Sequence, residues 1–156
     1  MGIQLEAGAK APAFALLNQN EEKVSLKDYK GRKLLVYFYP KANTPGCTTQ
    51  SCSVSESLPE LDEAGVDAVG ISPDKPAAQK KFDDKYGLGF PLLSDEDHAV
   101  AEAFGVWGEK SMYGRKYMGI IRSAFLIDEK GKIEEAWYKV SPKNTVPNVK
   151  ETLASA

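Results

Sequence analysis

Both cysteines of this chain, Cys47 and Cys52, fall within the stretch LLVYFYPKANTPGCTTQSC from Leu34 to Cys52. Thr44 followed by Pro45 reads as a helix N-cap with proline at the first helical position, where its missing N–H would have had no intrahelical partner. Gly46 is then the second helical residue and Cys47 the third. A first turn leaves backbone N–H groups unpaired and carries the positive end of the helix dipole, so a thiol placed there is expected to react readily as thiolate. Pro45 offers no N–H, which leaves those of Gly46 and Cys47 nearest the sulfur, and Gly46 keeps the approach open. Such a site suits an incoming anion or polar oxygen.

Cys52 follows five residues later. On one continuous helix the two Cα atoms stand about 140° apart around the axis and roughly 8.6 Å apart. That exceeds the roughly 7 Å within which a disulfide closes without backbone movement. Either this pair never bonds, or the first turns of the helix unwind when it does. A redox cycle with a built-in conformational step is the sharper of the two readings.

The elements that must hold these groups follow from pattern. Leu34 to Tyr39 is an unbroken apolar and aromatic run, short enough for a buried strand and ended by Pro40. The helix after it is expected to run to about Ala64 and stop at Gly65, with a kink or break at Pro59. Phe14 to Leu17 and Lys23 to Leu26 flank a polar tract and read as an N-terminal hairpin, with a single helical turn over Leu26 to Lys30. Val66 to Ile71 is a strand. Asp74 and Pro76 open a helix to Tyr86 that Gly87 ends, and Pro91 to Leu93 is a short strand. Ser94-Asp95-Glu96-Asp97 reads as a cap and acidic first turn for a helix to Phe104, rather than as a metal or acid/base cluster. Val106 to Gly119, with three glycines and no period, is taken as a long loop. Trp107 and Tyr113 within it are assigned to packing rather than to a substrate pocket. Ser123 to Ile127 and Lys132 to Val140 form a hairpin around Asp128 to Gly131, and Val146 to Leu153 is a last helix. Strands alternating with helices, closed by a hairpin and a helix, give an α/β sandwich with a mixed central sheet.

Bulk properties narrow the function. At 156 residues, with 42% hydrophobic residues, the chain is expected to form one domain over 1–156 with its own core. A formal charge of −2 argues against nucleic acid or an anionic membrane surface as a partner. No run of apolar residues reaches membrane-spanning length, and the N-terminus lacks the basic and apolar segments of a secretory signal, so a cytoplasmic protein is expected. Met1-Gly2 superficially fits a myristoylation signal, but Glu6 stands where serine or threonine is required. Two cysteines in a reducing compartment point to redox work. With one histidine, His98, a zinc set could be assembled only with carboxylates, so no metal is expected.

At Pro40-Lys41-Ala42-Asn43-Thr44-Pro45-Gly46-Cys47 the chain resembles the P-x-x-x-T-x-x-C motif of the peroxiredoxins. The stretches YFYPKANTPGCTTQSC, LLSDEDHAVAEAFGVWGEK and RSAFLIDEKGKI extend the resemblance over nearly the whole chain, toward the bacterioferritin comigratory protein, or peroxiredoxin Q, branch. The resemblance implies a thioredoxin-like fold with peroxiredoxin insertions, and cysteine-based peroxide reduction without metal or organic cofactor. It assigns Cys47 as the peroxidatic cysteine, Thr44 as the hydroxyl that orients the peroxide, Pro40 as the shield of the sulfur, Arg122 as the active-site arginine and Cys52 as the resolving cysteine. Substrate binding then falls to Gly46, Thr44 and Arg122. Cys47 would pass through a sulfenic acid to an intrachain disulfide, recycled by thioredoxin or a similar dithiol. The chain shows neither the C-terminal Tyr-Phe extension nor the Gly-Gly-Leu-Gly loop of overoxidation-prone peroxiredoxins, so resistance to sulfinic acid is expected. Resolution within one chain needs no second subunit, and a monomer is expected. The competing function is a thiol:disulfide oxidoreductase on the same fold, but that chemistry wants a C-x-x-C spacing, and here four residues intervene. A non-enzymatic binding protein on the same scaffold is a third class, to be recognised by indifference to Cys47→Ser.

Overall fold

The computed structural model describes residues 4–154. Met1 and Gly2, whose myristoylation was discounted above, lie outside the described residues. The elements are β1 (Ala15–Leu17), β2 (Lys23–Ser25), β3 (Lys33–Phe38), α1 (Pro45–Glu56), α2 (Leu58–Glu63), β4 (Val66–Ser72), α3 (Pro76–Tyr86), β5 (Leu92–Ser94), α4 (Ala99–Ala103), β6 (Trp107–Met112), β7 (Arg115–Ile120), β8 (Ser123–Ile127), β9 (Ile133–Trp137) and α5 (Thr145–Ala154). Single 3-10 turns cover Leu26–Tyr29 and Pro142–Asn144.

Seven strands form one mixed sheet in the order β2-β1-β5-β4-β3-β8-β9. β3 lies parallel to β4 and antiparallel to β8. It is covered on both faces, which is why it reads as a continuous apolar run instead of an alternation. Strand periodicity still divides its side chains. Leu35, Tyr37 and Tyr39 join the core cluster that also holds Cys47, Val54, Phe82 and Val149. Leu34, Val36 and Phe38 join the opposite cluster with Phe104, Phe125 and Ile133. The sheet and its flanking helices form the thioredoxin-like α/β architecture, with the N-terminal hairpin of β1 and β2 at one edge.

Three expectations need correction. The helix after the cysteine loop does not run on to Ala64 in one piece; the break expected at Pro59 comes slightly earlier, with the first helix ending at Glu56 and, after Ser57, a second beginning with Pro59 in its first turn. Proline placed there lacks only an N–H that had no intrahelical acceptor, so it starts a helix where it could not continue one. The segment read as a long loop, Val106 to Gly119, is a hairpin whose strands pair from Trp107↔Ile120 to Met112↔Arg115. Tyr113 and Gly114 turn it with φ of 52° and 79°, the positive values of a type I′ turn. Most of β7 is exposed, so no apolar alternation marks it. Tyr113 is 98% exposed and does not pack, against the expectation for it. Trp107 stacks on His98 at 3.8 Å.

The acidic run behaves as a cap, though from further back than expected. Asp95 is buried and its carboxylate accepts from the N–H groups of Val100 and Ala101, while the helix itself starts at Ala99. Burial pushes the Asp95 carboxyl above the usual carboxylate range, against those two hydrogen bonds that pull it down. No helix among the described residues is long and apolar enough to cross a membrane.

Candidate active site

Sheet topology brings the candidate residues together. The loop after β3 leads into α1 at the carboxyl end of a parallel strand pair, where α/β sheets open their sites. β8 runs antiparallel to β3 with Phe38 opposite Ser123. The residue just before β8, Arg122, is therefore carried to the start of α1. Its backbone is fixed there: the Arg122 carbonyl accepts from Val140 N–H at 2.9 Å, and the neighbouring Ile121 N–H donates to the Val106 carbonyl at 2.7 Å.

Thr44 is the N-cap residue and Pro45 the first helical residue, as the sequence requires. The Thr44 hydroxyl makes no cap hydrogen bond. It donates instead to the Lys41 carbonyl at 2.8 Å, within the loop. The N–H groups of Gly46 and Cys47, at positions without an intrahelical acceptor, thus receive nothing from the cap side chain. The loop has its own support, because the Ala42 N–H donates to the Asp74 carboxylate at 2.7 Å and Asn43 adopts φ of 65°, a left-handed conformation that asparagine tolerates. Pro40 follows Tyr39 directly and is half-buried at the start of this loop.

The Cys47 sulfur is fully buried, and Arg122 Nη2 donates to it at 3.2 Å. The other end of the guanidinium donates to Gln50 Oε1 at 2.7 Å. Gln50 Nε2 in turn donates to Thr145 Oγ1 at 2.8 Å, and that hydroxyl to the Ser141 carbonyl at 3.2 Å. A planar, permanently charged group is thus clamped from one helix by two residues, in a way a lysine could not reproduce. Gly46 makes room for it: a methyl group there would lie 3.2 Å from Arg122 Nη2 and 3.5 Å from Pro142 Cγ.

Cys52 is not part of this cluster. Both cysteines are free, and α1 runs unbroken through them. Cys52 is half-buried and packs against the core. Burial, and after it the Glu56 carboxylate one turn on, push its thiol up. Cys47, Arg122 and Gln50 meet in one place with Gly46 against the guanidinium, and the second thiol stands on another side of the same helix.

Sequence reasoning missed Gln50 and Thr145. Gln50 had a usable signal, because residues three apart share a helix face and Cys47 and Gln50 are so spaced. Thr145 had none, since the contact spans most of the chain.

Residues 7–136 match the model of the AhpC/TSA family. The chain is 56% identical over 133 residues to Peroxiredoxin Bcp of Escherichia coli, covering 85% of each chain. Among solved structures it superposes with TM-score 0.92 on a point mutant of Xylella fastidiosa PrxQ, at 33% identity over 99% of this chain and 98% of that one. It superposes with TM-score 0.87 on Xanthomonas campestris bacterioferritin comigratory protein, at 35% identity and the same two coverages; its structures are described as trapped intermediate and ligand complexes bearing on alkyl peroxide reduction.

Proposed function

This chain belongs to the AhpC/TSA family, in its Bcp and peroxiredoxin Q branch, and is a peroxidase; from that premise we propose that Cys47 attacks the peroxide, with Arg122, Thr44, Gly46 and Pro40 forming its site. The observation that carries the assignment is the donation from Arg122 to the buried Cys47 sulfur at 3.2 Å. The Cys47 thiolate attacks one peroxide oxygen; an S–O bond forms, the O–O bond breaks, and the leaving oxygen departs as water or an alcohol after taking a proton. Negative charge grows on that oxygen, and Arg122 with the first-turn N–H groups of Gly46 and Cys47 are the donors placed to meet it. Thr44 can orient the peroxide O–H, and Pro40 limits access of water to the sulfur.

The sulfenic acid on Cys47 then condenses with the Cys52 thiol, releasing water and forming an intrachain disulfide. With both residues on one intact helix the Cα atoms stand roughly 8.6 Å apart, so α1 unwinds through its first turns before the bond closes. Thioredoxin or a similar dithiol reduces the disulfide by exchange. Hydrogen peroxide and alkyl hydroperoxides are the substrates this reading assigns, the second class supported by the activity described for the Xanthomonas relative. We read the chain as a cytoplasmic monomer, since resolution needs no second subunit, and as one domain throughout 1–156, supported by a single sheet that draws strands from Ala15 to Trp137.

The test couples peroxide-dependent NADPH oxidation to thioredoxin and its reductase, with intact mass after one peroxide addition. Turnover is expected to vanish in Cys47→Ser, and the mass loss of a disulfide in wild type to give way to sulfenic or higher oxidation in Cys52→Ser. Only the thiolate of Cys52 attacks, and its thiol is pushed up. Disulfide formation should therefore keep accelerating with pH beyond the ordinary thiol range of about 8.5. Undiminished turnover in Cys52→Ser with no wild-type disulfide would make Cys52 structural and remove the unwinding step.

A further inference from the structure

At the end of β3 away from the cysteine loop lies a half-open cavity of about 210 Å³. Leu34 and Ile127, paired across β3 and β8, line it together with Ala11, Leu26 and Tyr29. About 13 Å of strand separate Leu34 from Phe38, so the cavity is distinct from the Cys47 site. Backbone hydrogen bonds tie its walls together. The Ala11 N–H donates to the Gly131 carbonyl at 2.9 Å, Leu26 N–H to the Phe14 carbonyl at 3.1 Å, and Gly31 N–H to the Glu129 carbonyl at 3.1 Å. The space is therefore preformed. It exceeds the roughly 150 Å³ that admits a benzene ring and falls short of the roughly 300 Å³ at which drug-sized sites begin, so a single ring or a short acyl chain fits.

The charge around this apolar lining is one-sided. Lys10, Lys27, Lys30 and Lys130 border it, all exposed, and among the described residues none of them has an ion-pair partner. Arg32 also borders it but is held by Asp62 and Asp67 at 3.0 Å each. Of the two bordering carboxylates, Asp128 accepts from the N–H groups of Lys130 and Lys132 at 2.9 Å, which leaves Glu129 against four lysines. Apolar walls with a few charged groups at the rim are the composition of a small-molecule site.

We propose that this cavity binds a small amphiphilic monocarboxylate, its short acyl chain or ring against Leu26, Tyr29, Leu34 and Ile127 and its carboxylate among the four lysines. The chain covers apolar surface that the fold leaves open, and the head group supplies the negative charge that the rim lacks.

The test titrates 15N-labelled protein with octanoate, neutral octanamide, octylammonium and butyrate, following the amide signals of Gly31, Lys130 and Gly131 against those of Gly46 and Cys47. Octanoate should saturate the first three with Kd on the order of 0.1–1 mM and leave the last two in place. Octanamide should bind about fivefold more weakly and octylammonium more weakly still, because they lose the attraction to the rim. Butyrate should bind at least about tenfold more weakly, because four methylene groups no longer meet the wall. In the double variant Lys27→Gln/Lys30→Gln, octanoate affinity should fall about fivefold with octanamide unchanged and peroxide turnover at the wild-type rate, and Lys81→Gln on α3 should change neither affinity. Equal affinities of wild type for octanoate and octanamide, or shifts that never saturate, overturn the proposal without reliance on any variant. Sedimentation with anionic phosphatidylglycerol vesicles in the absence of saturable octanoate binding would assign the lysines to a lipid surface and overturn it as well.

Discussion

The Arg122 guanidinium reaches both Cys47 and Gln50 because residue 46 has no side chain to stop it. Gly46→Ala separates catalysis from stability. Alanine is favoured over glycine inside a helix by up to about 1 kcal/mol, so the melting temperature should hold or rise slightly. The added methyl group would force Arg122 to give by a few tenths of an ångström at its 3.2 Å contact, and peroxide reduction should fall about tenfold through a misplaced donor. Parallel stopped-flow and thermal melts decide it: a melt lowered along with the rate would show general disruption instead. At this scale Thr44, Gly46 and Cys47 were legible because capping chemistry is local. Arg122 was not selected by local pattern over Arg32 or Arg115, and only the family resemblance picked it. The structure accounts for Arg32 elsewhere, in pairs with Asp62 and Asp67 at 3.0 Å each.

In the proposed cycle, helix α1 must both hold the attack geometry and release it. Its sequence PGCTTQSCSVSE is rich in threonine and serine, which favour helices less than alanine, so packing of Cys47, Gln50, Ser51 and Val54 supplies much of its stability. The Ser51 hydroxyl, 2.6 Å from that of Tyr37, ties it to β3. A helix held from outside can unwind at its start without strong intrinsic resistance. Replacing Thr48 and Thr49, half-buried and exposed, by alanine should stabilise the wound form by about 1 kcal/mol in total. Disulfide formation after one peroxide addition should slow about fivefold, with more sulfinic acid after repeated turnover. Unchanged resolution kinetics in this double variant would argue that unwinding is not on the path. The hairpin of β6 and β7 shows the reverse case. Its turn residues Tyr113-Gly114 carry little sequence signal, and exposed strands give no alternation to read.

For the molecule as a whole, β3 is the member on which both cores meet and from which the cysteine loop departs. Leu35 is fully buried on the face that also holds Cys47. Leu35→Ala should cost about 2–5 kcal/mol, and at roughly 2–4 °C per kcal/mol for a chain this size the melting temperature should drop by about 5–15 °C. A calorimetric shift below about 2 °C would mean that this core relaxes around the cavity. The chain Cys47–Arg122–Gln50–Thr145–Ser141 also joins the first turns of α1 to the C-terminal region, so unwinding α1 withdraws Gln50 from Arg122 and from Thr145 together.

Legible from local sequence were the strand-loop-helix unit around Cys47, the central buried strand, the helix stop at Gly87, and the impossibility of a Cys47 to Cys52 bond on an intact helix. Each of these depends on residues a few positions apart, where backbone propensity, capping and helical geometry act alone. Tertiary packing set what lies across the sheet: that Arg122 rather than another arginine faces the sulfur, that Gln50 and Thr145 hold it, and that Asp74 supports the loop. Those contacts join positions 32 to 95 residues apart. They follow from the registers of β3 with β4 and with β8 and from the packing of the C-terminal region on α1, which local periodicity does not encode.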